Sequence, residues 1–270
     1  MTSIHDIPPA MPTKGIHTGE PKNIPDTKWI PFDHDDIDWT QIVPPGEVTW
    51  FIGDGSMSKT TMAIDMCARV SSETDRKYYL ASAEDDRETT LKPRLKAAGA
   101  HPYGSVINTK TYGDAGRLDL VSVDLRAHFD WMKKLKVGIF VLDPLSNFLA
   151  PDESLKPQER AKVIGRILTE LKALAKEFGI AVILTAHLNS RARWEYDAFE
   201  VAGFGNVRDH LDYGWKFTPM DIDYHFQMMP LTVEMGKPRH FRTVGEPQHL
   251  ISIEWLQGEV KKLAAKQEAI

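Results

Sequence analysis

Residues 48–70 read VTWFIGDGSMSKTTMAIDMCARV, and this run constrains the fold more than any other. A short apolar strand, a turn carrying Gly53 and Gly55, and an amphipathic helix follow one another without a gap. Gly53, Lys59 and Thr60 fall in register with the phosphate-binding pattern G-x-x-x-x-G-K-[ST]. In that pattern backbone N–H groups cradle phosphates, the lysine meets the terminal phosphates, and the hydroxyl binds Mg²⁺. The partial positive charge at the helix N-terminus favours the same anion. Gly53, Gly55, Ser56, Met57, Ser58, Lys59, Thr60 and Thr61 are therefore the candidate nucleotide-binding residues. Ser58 stands where the pattern has its last glycine, and its Cβ crowds backbone that must approach phosphate closely. Serine is the mildest such change, because its hydroxyl can hydrogen-bond a phosphate oxygen. The loop reads either as a degenerate but competent site or as a nucleotide-binding loop with weakened turnover.

Downstream, strand and helix patterns alternate. Met62, Ala63, Met66, Cys67 and Val70 repeat at helical spacing. KYYLASAE (77–84) reads as a buried strand ending in acid. RETTLKPRLKAAG (87–99) reads as a helix closed by Gly99, with Pro93 near its start or kinking it. A short strand at 105–113, an amphipathic helix at 120–135 and the apolar strand KVGIFVLDPL (136–145) follow. The longest helix spans 157–179, with Pro157 in its first turn and Gly179 as C-cap. Ile164, Ile167, Leu168, Leu171, Leu174 and Phe178 line one of its faces. IAVILTAH (180–187) is a further apolar strand. After it, 213–220, 225–235 and 249–256 read as antiparallel strands, and 257–270 as a short, partly frayed helix.

This alternation predicts an α/β fold: a mostly parallel sheet with helices on both faces and antiparallel strands toward the C-terminus. Ligands of such sheets sit beyond the carboxyl ends of the strands. The polar groups at those ends are the phosphate loop, Glu84-Asp85-Asp86, Asp143 and His187. Asp143, after the apolar run IFVL, is placed to hold Mg²⁺ beside Thr60, or else to cap the next segment. Glu84 is placed to polarise a water for attack on a γ-phosphate. Asp85 and Asp86 compete for that role, or one of them caps the helix that begins at Arg87. His187 is either a γ-phosphate sensor or an ordinary hydrogen-bonded histidine.

With 42% hydrophobic and 26% charged residues, the chain has material for a sizeable core. Cys67 is the single cysteine, which excludes a disulfide framework and a cysteine-rich zinc site; it reads as a small buried apolar residue. Residues 1–28 hold five prolines and little apolar periodicity, and read as an extended arm before a core at 29–258 and a tail at 259–270. The acidic run FDHDDIDW (32–39) reads as a solvated turn rather than a metal site. No run approaches the roughly 18 apolar residues of a membrane span, and the first residues lack a signal-peptide pattern, so a cytoplasmic protein is expected. A net charge of −5 argues against coating duplex DNA by bulk electrostatics, while leaving room for a locally basic channel.

Four segments carry a resemblance: YLASAEDDRETTLKPRLKAAG (79–99), VLDPLSNFL (141–149), VILTAHLNS (182–190) and VAGFGNVRDHLDYGWKF (201–217). Over about residues 30–256 the chain resembles the RecA-like P-loop ATPases of the RepA type, the compact hexameric replicative helicases of plasmids, with phage and chromosomal relatives. The resemblance implies ATP and Mg²⁺ as ligands, Lys59 and Thr60 on phosphates and metal, and Asp143 on Mg²⁺. It further implies Glu84 as catalytic base and His187 as γ-phosphate sensor. It also implies a ring, hexameric in the family, in which Lys237 and Arg239 reach the neighbouring subunit's nucleotide. The chain departs from the family at Ser56 and Ser58, where glycines are common, and at Leu188, where a second histidine often stands.

The segment 188–206 follows the strand that ends in His187. Arg191 and Arg193 are placed to meet phosphates and Trp194 to stack a base, the combination that single-stranded DNA calls for; an ordinary charged surface loop is the alternative. Two functional readings remain: a ring-forming helicase or translocase, and an ATP-binding recombination or assembly factor with weak hydrolysis. A small-molecule kinase lacks its arginine-bearing lid, and no LSGGQ-like signature marks an ABC-type ATPase.

Overall fold

Three strands buried at every position set the centre of the fold: β1 (Val48–Gly53), β4 (Val137–Asp143) and β5 (Ala181–Ala186). Continuous apolar runs of this kind belong to strands covered on both faces. The computed structural model describes residues 39–53, 59–108, 118–149, 154–187, 200–201, 205–206, 213–219, 225–230, 250–256 and 259–264. The arm at 1–28, the loop residues Gly55, Ser56, Met57 and Ser58, and Leu188, Arg191, Arg193, Trp194, Lys237 and Arg239 lie outside the described residues.

The remaining strands are β2 (Lys77–Ser82), β3 (Ser105–Asn108), the short pair β6 (Glu200–Val201) and β7 (Gly205–Asn206), β8 (Tyr213–Pro219), β9 (His225–Pro230), β10 (Leu250–Leu256) and β11 (Glu259–Ala264). The main sheet runs β11-β10-β9-β8-β1-β5-β4-β2-β3, with β6 and β7 forming a separate antiparallel ladder. From β8 to β3 every neighbouring pair is parallel, and β9, β10 and β11 extend the sheet antiparallel. The expected α/β architecture is therefore present. β8 departs in one respect: it is antiparallel to β9 but parallel to β1 on its other side.

Strand alternation assigns the two faces. Phe51, Leu80, Val141 and Ile183 share one apolar cluster with Met62, Ile64 and Met66 of α2 (Lys59–Glu73) and Leu95 of α3 (Lys92–Ala97). Ile52, Tyr79, Ala81, Phe140, Leu142 and Leu184 point the other way. They pack with Phe129 and Met132 of α4 (Leu125–Lys134) and with Ile167, Leu168 and Leu171 of α5 (Pro157–Phe178). At the start of the described chain, α1 (Trp39–Ile42) is tied to the sheet by the Trp215 indole, which donates to the Ile42 carbonyl at 2.9 Å. Cys67 is buried in the α2 cluster, where desolvation pushes its thiol pKa up and leaves it an apolar filler.

α5 ends as its sequence indicates: Gly179 adopts φ 62°, and its N–H caps the Ala175 carbonyl. Three other elements differ from expectation. The helix at 87–99 is a π-helical turn, Arg87–Leu91, followed by α3. Pro93, with no N–H to donate, sits in the first turn of α3, where that loss costs nothing. The helix at 120–135 begins only at Leu125, because Asp124 caps it by accepting from Ala127 N at 3.0 Å. The expected C-terminal helix is instead β11, paired with β10 from Ile251↔Ala264 to Leu256↔Glu259. Only Gln257 and Gly258 separate these strands, the two-residue glycine-bearing spacing of a hairpin, and the ladder overrides the helix propensity of Lys, Leu and Ala. Among the described residues no helix is long and apolar enough to cross a membrane.

Candidate active site

The carboxyl ends of β1, β5, β4 and β2 lie side by side, and each delivers polar groups to one edge of the sheet. At the first of them, a Cβ on Gly53 would come within 2.7 Å of the Phe217 carbonyl oxygen and 3.0 Å of Phe217 Cβ. The close approach of β8 therefore requires this glycine, whatever the loop binds.

Lys59 opens α2 and is 5% exposed. Its Nζ donates to the Gly53 carbonyl at 2.9 Å and lies 3.4 Å from His187 Nδ1. On its far side, His187 Nε2 meets Glu84 Oε1 at 3.0 Å. An ammonium has no lone pair, so Nδ1 faces it as acceptor and the ring proton sits on Nε2, donated to Glu84. The three residues, from the start of α2 and from just beyond the ends of β5 and β2, thus form one chain of contacts.

The acidic trio divides its tasks. Asp86 Oδ1 accepts from Thr89 N at 2.8 Å, Thr89 Oγ1 at 2.7 Å and Glu88 N at 3.0 Å, which is the capping alternative raised by the sequence. Those bonds, the Thr89 N–H foremost, hold its carboxyl below the usual range. Asp85 pairs with Arg94 of α3 at 3.2 Å. Glu84 is the member that faces His187.

Asp143 closes β4 and is 2% exposed. Its Oδ2 accepts from Thr60 Oγ1 at 2.9 Å, with Ser82 Oγ at 3.5 Å, and its Oδ1 accepts from Thr185 Oγ1. Burial pushes the Asp143 carboxyl up from its ordinary value. The hydroxyls of Thr185 and Thr60 oppose the rise, while the charges of Glu84 and Asp85 add to it. Thr60 and Asp143 together present only oxygen donors, which suits a hard cation such as Mg²⁺ that keeps waters and takes its remaining ligands from phosphates. Among the described residues no group of three or more His, Cys, Asp or Glu forms a metal cage.

A raised folded-state pKa means that ionised Asp143 costs the fold stability as pH rises through that pKa. Asp143→Asn, which removes the ionisable group, is accordingly expected to raise the Tm of the nucleotide-free protein at alkaline pH. The gain should shrink as the pH falls, because protonation removes the buried charge from wild type as well. Thermal melts at pH 8 and pH 5 check both halves; the same variant should lose the Mg²⁺ dependence of nucleotide binding.

Ser82 and Thr185 are site residues that the sequence reading missed. Their signal is positional: each is the polar member near the end of an apolar strand, and Ser82 pairs directly with Asp143 in the β2–β4 register. Thr61, the last residue of the candidate loop, is buried in the first turn of α2.

Residues 30–193 match the AAA domain family, more than half of the 270-residue chain. The chain belongs to that family. The matched span contains Lys59, Thr60, Glu84, Asp143 and His187, and ends before β6. An AAA domain is a P-loop nucleotide-binding unit, and the matched span includes β1 and α2, which flank the candidate phosphate loop. No curated protein matches the sequence.

Proposed function

We propose that this AAA-family chain is an ATP-hydrolysing motor that works as a ring, a DNA helicase or single-strand translocase in replication. The observation that carries the reading is the meeting of Lys59, the Thr60–Asp143 pair and the Glu84–His187 pair at four adjacent strand ends. Lys59 leaves the Gly53 carbonyl to meet the β- and γ-phosphates, exchanging a neutral acceptor for an anionic one. Thr60 and Asp143 would hold Mg²⁺, which would neutralise charge on the phosphate oxygens. Glu84 orients a water in line with the γ-phosphorus and takes its proton; the new P–O bond forms as the β–γ bridging oxygen leaves with ADP. His187, between Lys59 and Glu84, senses the γ-phosphate.

The resemblance to RepA-type helicases supports the rest of the proposal. In a six-membered ring, Lys237 and Arg239 supply cations to the neighbouring subunit's γ-phosphate, so that hydrolysis depends on assembly. Arg191, Arg193 and Trp194 would meet single-stranded DNA in the channel through phosphate contacts and base stacking. A second reading, an ATP-binding recombination or assembly factor with weak hydrolysis, draws on Ser56 and Ser58 in the phosphate loop. Steady-state ATP hydrolysis with and without single-stranded DNA separates the two. The motor reading expects DNA to stimulate turnover. Slow turnover that DNA leaves unchanged selects the second reading.

A further inference from the structure

Thr185 is fully buried near the end of β5, a strand whose other members are all apolar. Valine would fill the same pleated position and is at least as good a strand former. A buried hydroxyl in such a place costs free energy unless it has an acceptor. Its acceptor is Asp143 Oδ1.

The sheet register explains how they meet. Leu142 of β4 pairs with Leu184 of β5, so the next residue of each strand, Asp143 and Thr185, come side by side. On the other flank, Ser82 of β2 is the direct partner of Asp143. Leu80, Val141 and Ile183, two residues earlier on these strands, all face α2, so Ser82, Asp143 and Thr185 form a polar row on the same face. Thr60, at the start of α2, completes the surround.

From this arrangement we infer that Thr185 is a positioning residue for the cation-binding carboxylate: it pins Asp143 Oδ1 toward β5 so that Oδ2 is presented to Thr60 and the metal seat. The inference rests on the proposed nucleotide–Mg²⁺ site. A carboxylate torsion is broad and nearly two-fold, so one hydrogen bond leaves its plane loosely defined. Donors on both oxygens from different elements define it: Thr185 holds Oδ1, and Thr60 holds Oδ2 with Ser82 at the edge of bonding distance. Without Thr185 the carboxylate is free to turn, and the oxygen set that the cation requires is lost for part of the time. Groups that orient metal ligands in this way typically contribute about 10–100-fold in metal affinity.

The test is an equilibrium titration of the full chain with fluorescently labelled ADP, in Mg²⁺ and in EDTA, alongside thermal melts. Thr185→Val should reduce the Mg²⁺-dependent gain in affinity about tenfold or more, leave affinity in EDTA unchanged, and be rescued by Thr185→Ser. Thr185→Ala gives the same reading if the valine variant does not fold. A Mg²⁺ gain equal to wild type in the valine or alanine variant overturns the inference. So does an equal loss in Mg²⁺ and EDTA, which would mark a merely structural hydroxyl. Wild-type protein that binds no labelled ADP in either condition would overturn the nucleotide site itself, a result distinguishable from failure of the Thr185 role alone.

Discussion

Glu84→Gln protein is expected to bind ATP as wild type does and to hydrolyse it about 10²–10⁴-fold more slowly, the usual contribution of a positioned general base. The amide preserves size and an acceptor oxygen toward His187 Nε2, so the contact at the end of β5 survives. It cannot take a proton from water. The neighbouring acids provide the internal control. Asp86 is engaged as the cap of the π-turn, and Asp86→Ala should cost about 1 kcal/mol of stability with little change in turnover. Asp85 is paired with Arg94, and Asp85→Asn should loosen that link without removing the base. Single-turnover hydrolysis alongside nucleotide titration distinguishes these outcomes. Loss of turnover in Asp85→Asn with retention in Glu84→Gln would move the base by one residue.

Much of this site is legible in the linear chain because strand ends announce themselves. An apolar run closing on Asp143 or His187, in a chain of alternating strands and helices, needs no three-dimensional information to be placed at the ligand-bearing edge. α5 was equally legible: its apolar face repeats over many turns and its termini carry Pro157 and Gly179. What escaped depended on register or on local competition. Ser82 and Thr185 reach Asp143 across 61 and 42 residues, and only the pairing of β2, β4 and β5 makes them neighbours. The division of labour within Glu84-Asp85-Asp86 likewise needs the positions of His187, Arg94 and Thr89. β11 was misread because EVKKLA suits a helix when considered alone, whereas its partner β10 and the short Gln257-Gly258 spacer make it a strand. The π-turn before α3 escaped because Pro93 signals only that the helical pattern is interrupted or restarted nearby, and not which kind of turn precedes it.

The second large effect is expected at Lys59, and it bears on the claim from which every other role follows: that the edge formed by β1, β5, β4 and β2 is an ATP site. Lys59 is buried, with its ammonium held 2.9 Å from the Gly53 carbonyl and 3.4 Å from His187 Nδ1. Alanine there removes the one cation that opens α2 and leaves the helix itself a good former. A hydrogen bond to a charged group contributes about 2–3 kcal/mol at best, so the loss of affinity should be roughly 30–150-fold. The fold should persist, because the lysine's contacts with Gly53 and His187 lie at the edge of the sheet and no core side chain is removed. Isothermal titration of ATP and Mg²⁺ into wild-type and Lys59→Ala protein, with matched circular dichroism, is the most direct measurement. The expected result is a folded variant whose affinity falls by that factor while wild type binds one ATP per chain. Equal affinity in the two folded proteins, or no binding to wild type, would contradict it.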